Sequence, residues 1–318
     1  VGQNNFLRSS HARGAFASKG MRGRDIGFRG QGQGRAVDAC GAACKLVCVI
    51  TKAEPAMAFS IVRHAFVMVF GNFGQALRLS AGPLAIAVIV IYALSRSLSV
   101  GAVSVVFMAM NPARADPVVL LVVLAGLAVM TFATAWIAVA WHRFILVEEY
   151  VTLLPRLRGR PVGRYILMSL AIAFWVFLAS FAAAFVAGIL LAITGQDDNA
   201  LAGFIAGTLI GVVSSYVWFR LALVLPALAI LTPMSLKASF AQTRPISSTI
   251  VQVVLILVVI NLILQAVIGQ IAPGSPAVQV TLGGIVTWLS FMIGLSVLTT
   301  FYGHLVEGRA LADQAPTT

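Results

Sequence analysis

Six apolar runs of about twenty residues or more, set apart by short polar or proline-bearing breaks, constrain this chain more than anything else in it. As a helix, a run of that length crosses the roughly 30 Å hydrocarbon core of a bilayer and satisfies its own backbone there. The runs fall at about 81–106, 117–141, 165–194, 201–231, 249–271 and 280–303. They are continuous rather than alternating, which argues against a membrane β-barrel. Between them stand turn-forming breaks: Asn111-Pro112 with Asp116-Pro117, Arg158-Gly159-Arg160-Pro161, Gln196-Asp197-Asp198-Asn199, Pro233 through Pro245, and Ala272-Pro273-Gly274-Ser275-Pro276. With 60% hydrophobic residues over 318 positions and a mean hydropathy of +0.97, the chain holds more apolar surface than one water-facing globule can bury. The expected fold class is all-α, a polytopic membrane helix bundle of about six transmembrane helices preceded by an amphipathic interfacial helix.

That preceding helix is predicted over 57–79, where Phe59, Val62, Phe66, Val69, Phe70, Phe73 and Leu77 recur at helical spacing while Arg63, Asn72 and Arg78 fall mostly off the stripe. Its aromatic face is expected to lie on lipid or on the bundle, the bundle being preferred. Residues 1–56 are rich in Gly, Arg and Ser and lack an apolar period, so they read as a disordered basic tail. Alternatively the membrane protein proper opens at Met57, since residue 1 is Val. Residues 80–305 then form the six-helix domain and 306–318 a disordered C-terminal tail. Cys40, Cys44 and Cys48 have no His or further Cys beside them, and no metal site or cofactor is expected.

A formal charge of +12 invites a nucleic-acid reading, and Gly27-Phe28-Arg29-Gly30-Gln31-Gly32-Gln33-Gly34-Arg35 resembles RNA-binding arginine-glycine segments. The segment from Arg8 to Arg24 likewise resembles an organelle transit peptide. The distribution of charge points elsewhere, and no nucleic-acid partner is expected. With the N-terminus inside, 20 of the 22 Lys and Arg fall on one side of the six spans, and Arg96 and Arg114 alone fall on the other. The positive-inside rule puts both termini in the cytoplasm, and the asymmetry persists without the tail. Trp141-His142-Arg143-Phe144-Ile145-Leu146-Val147 and Trp218-Phe219-Arg220-Leu221-Ala222-Leu223-Val224 share W-x-R-x-x-L-V at corresponding helix ends, and the last span ends Phe301-Tyr302-Gly303-His304. Either three parallel helical hairpins repeat, or an aromatic belt produces the likeness.

Ionisable groups inside a membrane usually mark ion paths, relays or catalysis, because burying charge in lipid is costly. Here Arg143, Glu148, Glu149, Arg220, His142 and His304 all fall near span ends, where snorkelling or headgroup contact accounts for them. Glu148 and Glu149 make a poor acid–base pair, since neighbours on a helix point about 100° apart. Arg143, Arg156, Arg158, Arg160, Arg164 and Arg220 are candidate contacts for anionic lipid headgroups. Gly203, Gly207 and Gly211 lie four apart on one helix face and are read as a close-packing seam, against the same chain in preference to a second copy. Asn261 and Gln265 share a face and are expected to hydrogen-bond across helices. No phosphate loop, H-E-x-x-H or G-x-S-x-G motif is present, and no catalytic residue is expected.

Two segments resemble the membrane domain found beside bacterial glycerophosphoryl diester phosphodiesterases. One is Phe59-Ser60-Ile61-Val62-Arg63-His64-Ala65-Phe66, continuing through Gly71-Asn72-Phe73-Gly74. The other is Leu225-Pro226-Ala227-Leu228-Ala229-Ile230, followed by Ser235-Leu236-Lys237-Ala238-Ser239-Phe240 and Thr243-Arg244. The resemblance covers about 59–305 and implies a bacterial inner-membrane location. It departs at Leu231 and Thr232, where relatives often carry an acid, and no phosphodiesterase barrel follows the last span. The expected function is therefore that of a non-enzymatic scaffold or a domain that contacts membrane lipids and other membrane proteins. A small-solute or lipid transporter is the alternative, favoured by six spans and the Pro226 break, and an intramembrane enzyme comes third.

Overall fold

The computed structural model describes residues 55–101, 116–150, 154–196, 198–271 and 275–309, with the side chains of Pro55, Ala56 and Pro276 left aside. The expectations for the basic tail, its three cysteines and the end of the chain lie outside these residues. Among the described residues the chain is 85% helical and has no strand. The helices run α1 (Pro55–Gly71), α2 (Phe73–Ser97), α3 (Pro117–Val147), α4 (Val162–Thr194), α5 (Ala200–Leu221), α6 (Val224–Ala229), α7 (Leu236–Gln242), α8 (Ser247–Ile271) and α9 (Pro276–Leu305), with a 3-10 turn at Arg244–Ile246. Six of them (α2, α3, α4, α5, α8 and α9) are long and apolar enough to cross a bilayer. The chain is thus an all-α polytopic bundle.

Local chemistry sets most boundaries. The Asp116 carboxylate accepts from the Val118 N–H at 2.8 Å with Pro117 in the first turn, and Asn199 Oδ1 accepts from Leu201 and Ala202, so α3 and α5 start on capped ends. Helix α4 stops at Gly195, whose φ of 64° is open to glycine without a Cβ clash. Two boundaries differ from the sequence reading. The first span begins at Phe73 rather than about 81, because the chain breaks at Asn72, whose Nδ2 donates to Met68 O at 2.9 Å, and the former interfacial segment 73–79 continues straight into α2. The fourth span ends at Leu221 rather than about 231. Pro226 has no N–H to give Ala222 O, which takes the Leu225 N–H at 2.9 Å instead, and the chain turns and restarts as the fully buried α6.

Helix α1 packs on α8 and α9 through Ala58, Ile61, Val62, Ala65, Met68 and Val69. The expected stripe therefore divides: Val62 and Val69 are buried and Phe66 packs on the core, whereas Phe59 is 63% exposed and Phe70 is exposed too. The small aliphatic residues win because they let the backbones approach closely. The rings stack along Phe66, Phe70 and Phe73, and Phe73 meets Trp288 edge-on at 5.8 Å between centroids.

The core sits at one end of the bundle. Buried residues occupy the first half of α2 (Ala76, Leu79, Ser80, Pro83, Ala87), the start of α4 (Val162, Tyr165, Ile172), the last turn of α5 and the start of α8. They fill the last third of α3 from Ala133 to Leu146, and α9 from Met292 to Tyr302. Because successive spans alternate in direction, these segments all lie together. At the far end the most apolar stretches of α4 and α5 have no buried residue at all. Helices α3, α4 and α9, of 31, 33 and 30 residues, are about 45–50 Å long, whereas even a helix tilted by about 40° needs only some 39 Å to cross. Tilt alone does not absorb the excess, and it is at the core end that protein covers the sides of these three helices.

The end of α6 carries one strained residue. Thr232 N donates to Ala227 O at 2.9 Å and Leu231 N to Leu228 O at 3.1 Å, a Schellman closure that puts Leu231 at φ 64°. A left-handed Leu costs roughly 1 kcal/mol there, and its side chain is exposed. Leu231→Gly is expected to raise thermal stability in detergent by that order, measured as a shift in the unfolding midpoint.

Candidate functional site

Helices that end inside the core end leave their last carbonyls without intrahelical donors. Three arginines answer this, each reaching a helix other than its own. Arg143 Nη1 donates to Ala229 O, the last carbonyl of α6, at 2.9 Å. Arg220 Nη2 donates to Phe240 O in the last turn of α7 at 3.0 Å. Arg309 Nη2 donates to Leu146 O in the last turn of α3 at 2.9 Å, its chain folded back over Gly303, where a Cβ would stand 3.4 Å from Arg309 Cδ. A cation at a helix C-terminus also meets the negative end of the peptide dipoles. The two W-x-R-x-x-L-V segments therefore share a role as well as a spelling.

Arg143 is tied further. Its Nε meets Glu149 Oε2 at 2.7 Å, Arg160 pairs with the other oxygen of the same carboxylate, and Arg309 pairs with Glu307 at 2.6 Å. The gap among Trp136, Arg143, Glu149, Pro155 and Arg160 measures only about 10 Å³, room for one water at most. Glu148 is the left-handed cap of α3, φ 54°, with an exposed side chain. The two glutamates therefore diverge, one to solvent and one into an ion-pair cluster. Trp136 Nε1 donates to Pro155 O at 3.0 Å and draws the following loop onto α3.

His142 and Arg220 correct the picture of ionisable groups held at the interface by snorkelling: His142 is 0% exposed and Arg220 5%. His142 Nδ1 lies 2.8 Å from Thr299 Oγ1, which gives its own proton to Leu295 O, so the ring donates from Nδ1. That leaves Nε2 to accept from Tyr165 Oη at 3.3 Å. Beside it Trp141 Nε1 donates to Ser296 Oγ at 3.0 Å, so α3, α4 and α9 are cross-linked within one turn. Arg220 Nε donates to Thr243 Oγ1 at 2.8 Å and Nη1 to Tyr216 Oη at 2.7 Å, with the Phe240 ring 4.0 Å away. In return Ser239 Oγ donates to Arg220 O at 2.9 Å, closing a two-way clasp between α5 and α7. Besides the headgroup contact expected for it, Arg220 is held within the protein by Tyr216, Phe240 and Thr243. The spacing of Ser239, Phe240 and Thr243 on one side of α7 was the available signal.

Next to this clasp opens a cleft of about 670 Å³ between α4, α5 and α7. Among the other expected site residues, Arg156, Arg158 and Arg164 are exposed at the core end, while Arg143 and Arg160 are held by Glu149. Gly203, Gly207 and Gly211 do not form a seam within the described chain, since a Cβ built at each meets no atom within 4 Å. The α4–α5 hairpin instead meets through Ser180 and Ser214, whose hydroxyls lie 2.6 Å apart. Asn261 joins α8 to α9 by accepting from Ser290 at 3.3 Å, whereas Gln265 is exposed.

Fold and site together define a membrane-spanning all-α protein whose polar residues organise the end of a helix bundle. No protein-family model, curated protein or solved structure matches the chain.

Two substitutions check these assignments. Arg143→Ala strips a donor from Ala229 O and a counter-charge from Glu149, and is expected to cost roughly 2–3 kcal/mol in thermal stability, with Arg143→Lys recovering only part because a lysine lacks the guanidinium fork. Gly207→Ala is expected to leave stability unchanged or raise it by up to about 1 kcal/mol, since space is open and alanine favours the helix.

Proposed function

We propose that this chain is a non-enzymatic integral protein of a bacterial inner membrane, its core end cytoplasmic, which acts by engaging anionic lipid headgroups and membrane partners. The observation that carries this reading is the coincidence of two asymmetries. The basic residues that follow the spans on one side, from Arg143 to Arg309, lie at the end of the bundle where the buried core is gathered. The positive-inside rule makes that end cytoplasmic. Arg156, Arg158 and Arg164 stand exposed there, each worth roughly 1 kcal/mol beside an anionic leaflet. The resemblance to the membrane domain of glycerophosphoryl diester phosphodiesterases accords with a lipid-facing role, and its second segment supplies the α7 residues that clasp Arg220.

The test is to excise the protein with its surrounding lipid in polymer discs and compare that lipid with bulk membrane. Enrichment in anionic phospholipid is expected, falling severalfold in the Arg156→Gln, Arg158→Gln, Arg164→Gln triple variant. Lipid matching bulk membrane in both would sink the reading.

A further inference from the structure

The cleft beside Arg220 has a definite depth and polarity. Ser180 and Ser214 fix the register of the α4–α5 hairpin, which places Arg220 level with Trp175. Arg220 lies twenty residues beyond Ala200 at the far end of α5, about 30 Å along the helix, so a crossing that begins at Ala200 brings the cleft to the boundary between hydrocarbon and headgroups. Its walls are apolar, with Trp175, Leu178 and Phe240 all partly exposed, and its polar groups are Tyr216, Arg220 and Lys237. Two cations and no carboxylate line it.

Among the described residues Arg220 has no anionic partner. Its protein partners are two hydroxyls, a carbonyl and an aromatic face, and among the described residues no carboxylate comes within 4 Å of it. Three of a guanidinium's five N–H groups are used, which leaves two. A cation removed from water without a counter-charge is costly, and these neutral groups offset that only in part. The cleft beside it, within the roughly 300–1,000 Å³ typical of small-ligand sites, admits the missing charge.

Resting on the lipid-engaging role above and giving it a site, we propose that this cleft holds one anionic phospholipid, its phosphate between Arg220 and Lys237 and its first methylenes along Trp175 and Leu178. Free phosphate fits the cations but leaves the apolar walls unused, whereas a phospholipid uses both.

The full chain, stripped with excess detergent, is titrated with phosphatidylglycerol, phosphatidylcholine or inorganic phosphate, with native mass spectrometry counting bound lipid and thermal unfolding reading stabilisation. One phosphatidylglycerol per chain is expected to survive stripping. Because Arg220 also clasps α7, the diagnostic variants are Lys237→Glu, at an exposed position, and Ala179→Trp, which fills the cleft. Each is expected to weaken phosphatidylglycerol binding about tenfold or more while unfolding at the wild-type midpoint without lipid. The Arg156, Arg158 and Arg164 triple variant should retain the bound lipid, which separates this site from general enrichment. Equal retention of phosphatidylcholine, undiminished binding in both cleft variants, or stabilisation by phosphate alone would each overturn the proposal.

Discussion

Helices that end inside protein at the margin of a membrane leave carbonyl oxygens that neither lipid nor bulk water can satisfy, and the rest of this structure follows from how those oxygens find donors. Three arginines, at 143, 220 and 309, each cross to the C-terminus of another helix. Hydroxyls and one indole supply further donors, Ser239 to Arg220 O, Thr232 to Ala227 O and Trp136 to Pro155 O. The Arg, Ser239 and Trp136 bonds join two elements, while Thr232 closes the end of α6 itself. The short helices α6 and α7, too brief to be stable by themselves, are each met by an arginine at the C-terminal end, and α7 is capped by Ser235 at its start.

That pairing sits within the buried core. At the core end, buried aromatic and aliphatic side chains pack around the cross-links from His142 to Thr299 and Tyr165 and from Trp141 to Ser296. At the far end, α4 and α5 expose Phe181, Phe185, Ile193 and Leu201, a surface that lipid can wet without loss because hydrocarbon is as apolar as the side chains. Buried packing thus dominates at the core end, and apolar side chains facing outward dominate at the far end.

The sequence reading went furthest where a single physical rule acted alone. Apolar length located six spans, and Asp116-Pro117 and Asn199 marked helix starts, because a local side chain meets a local N–H. It went astray wherever a neighbour decided. The aromatic stripe from Phe59 to Phe70 is more hydrophobic than Ala58, Ile61 and Ala65, yet the smaller face is the one that α8 and α9 accept. The glycines at 203, 207 and 211 have seam spacing, but nothing in the described chain lies opposite them.

The candidate site divides the same way. Arg143 and Arg220 stood out by charge and by their shared W-x-R-x-x-L-V setting, because a cation near a span end is conspicuous in any apolar sequence. What each one binds was beyond reach: the carbonyl of Ala229 is 86 positions from Arg143, and the Phe240 ring joins Arg220 only after the chain turns at Pro226. By itself, then, the sequence determined that the chain is a helical membrane bundle with one strongly basic side, since apolar length and charge are additive properties of residues. Tertiary structure alone decided which end is packed, which arginines are buried and where a cleft opens, since those depend on which helix ends meet, and a meeting of ends is not a property of any one segment.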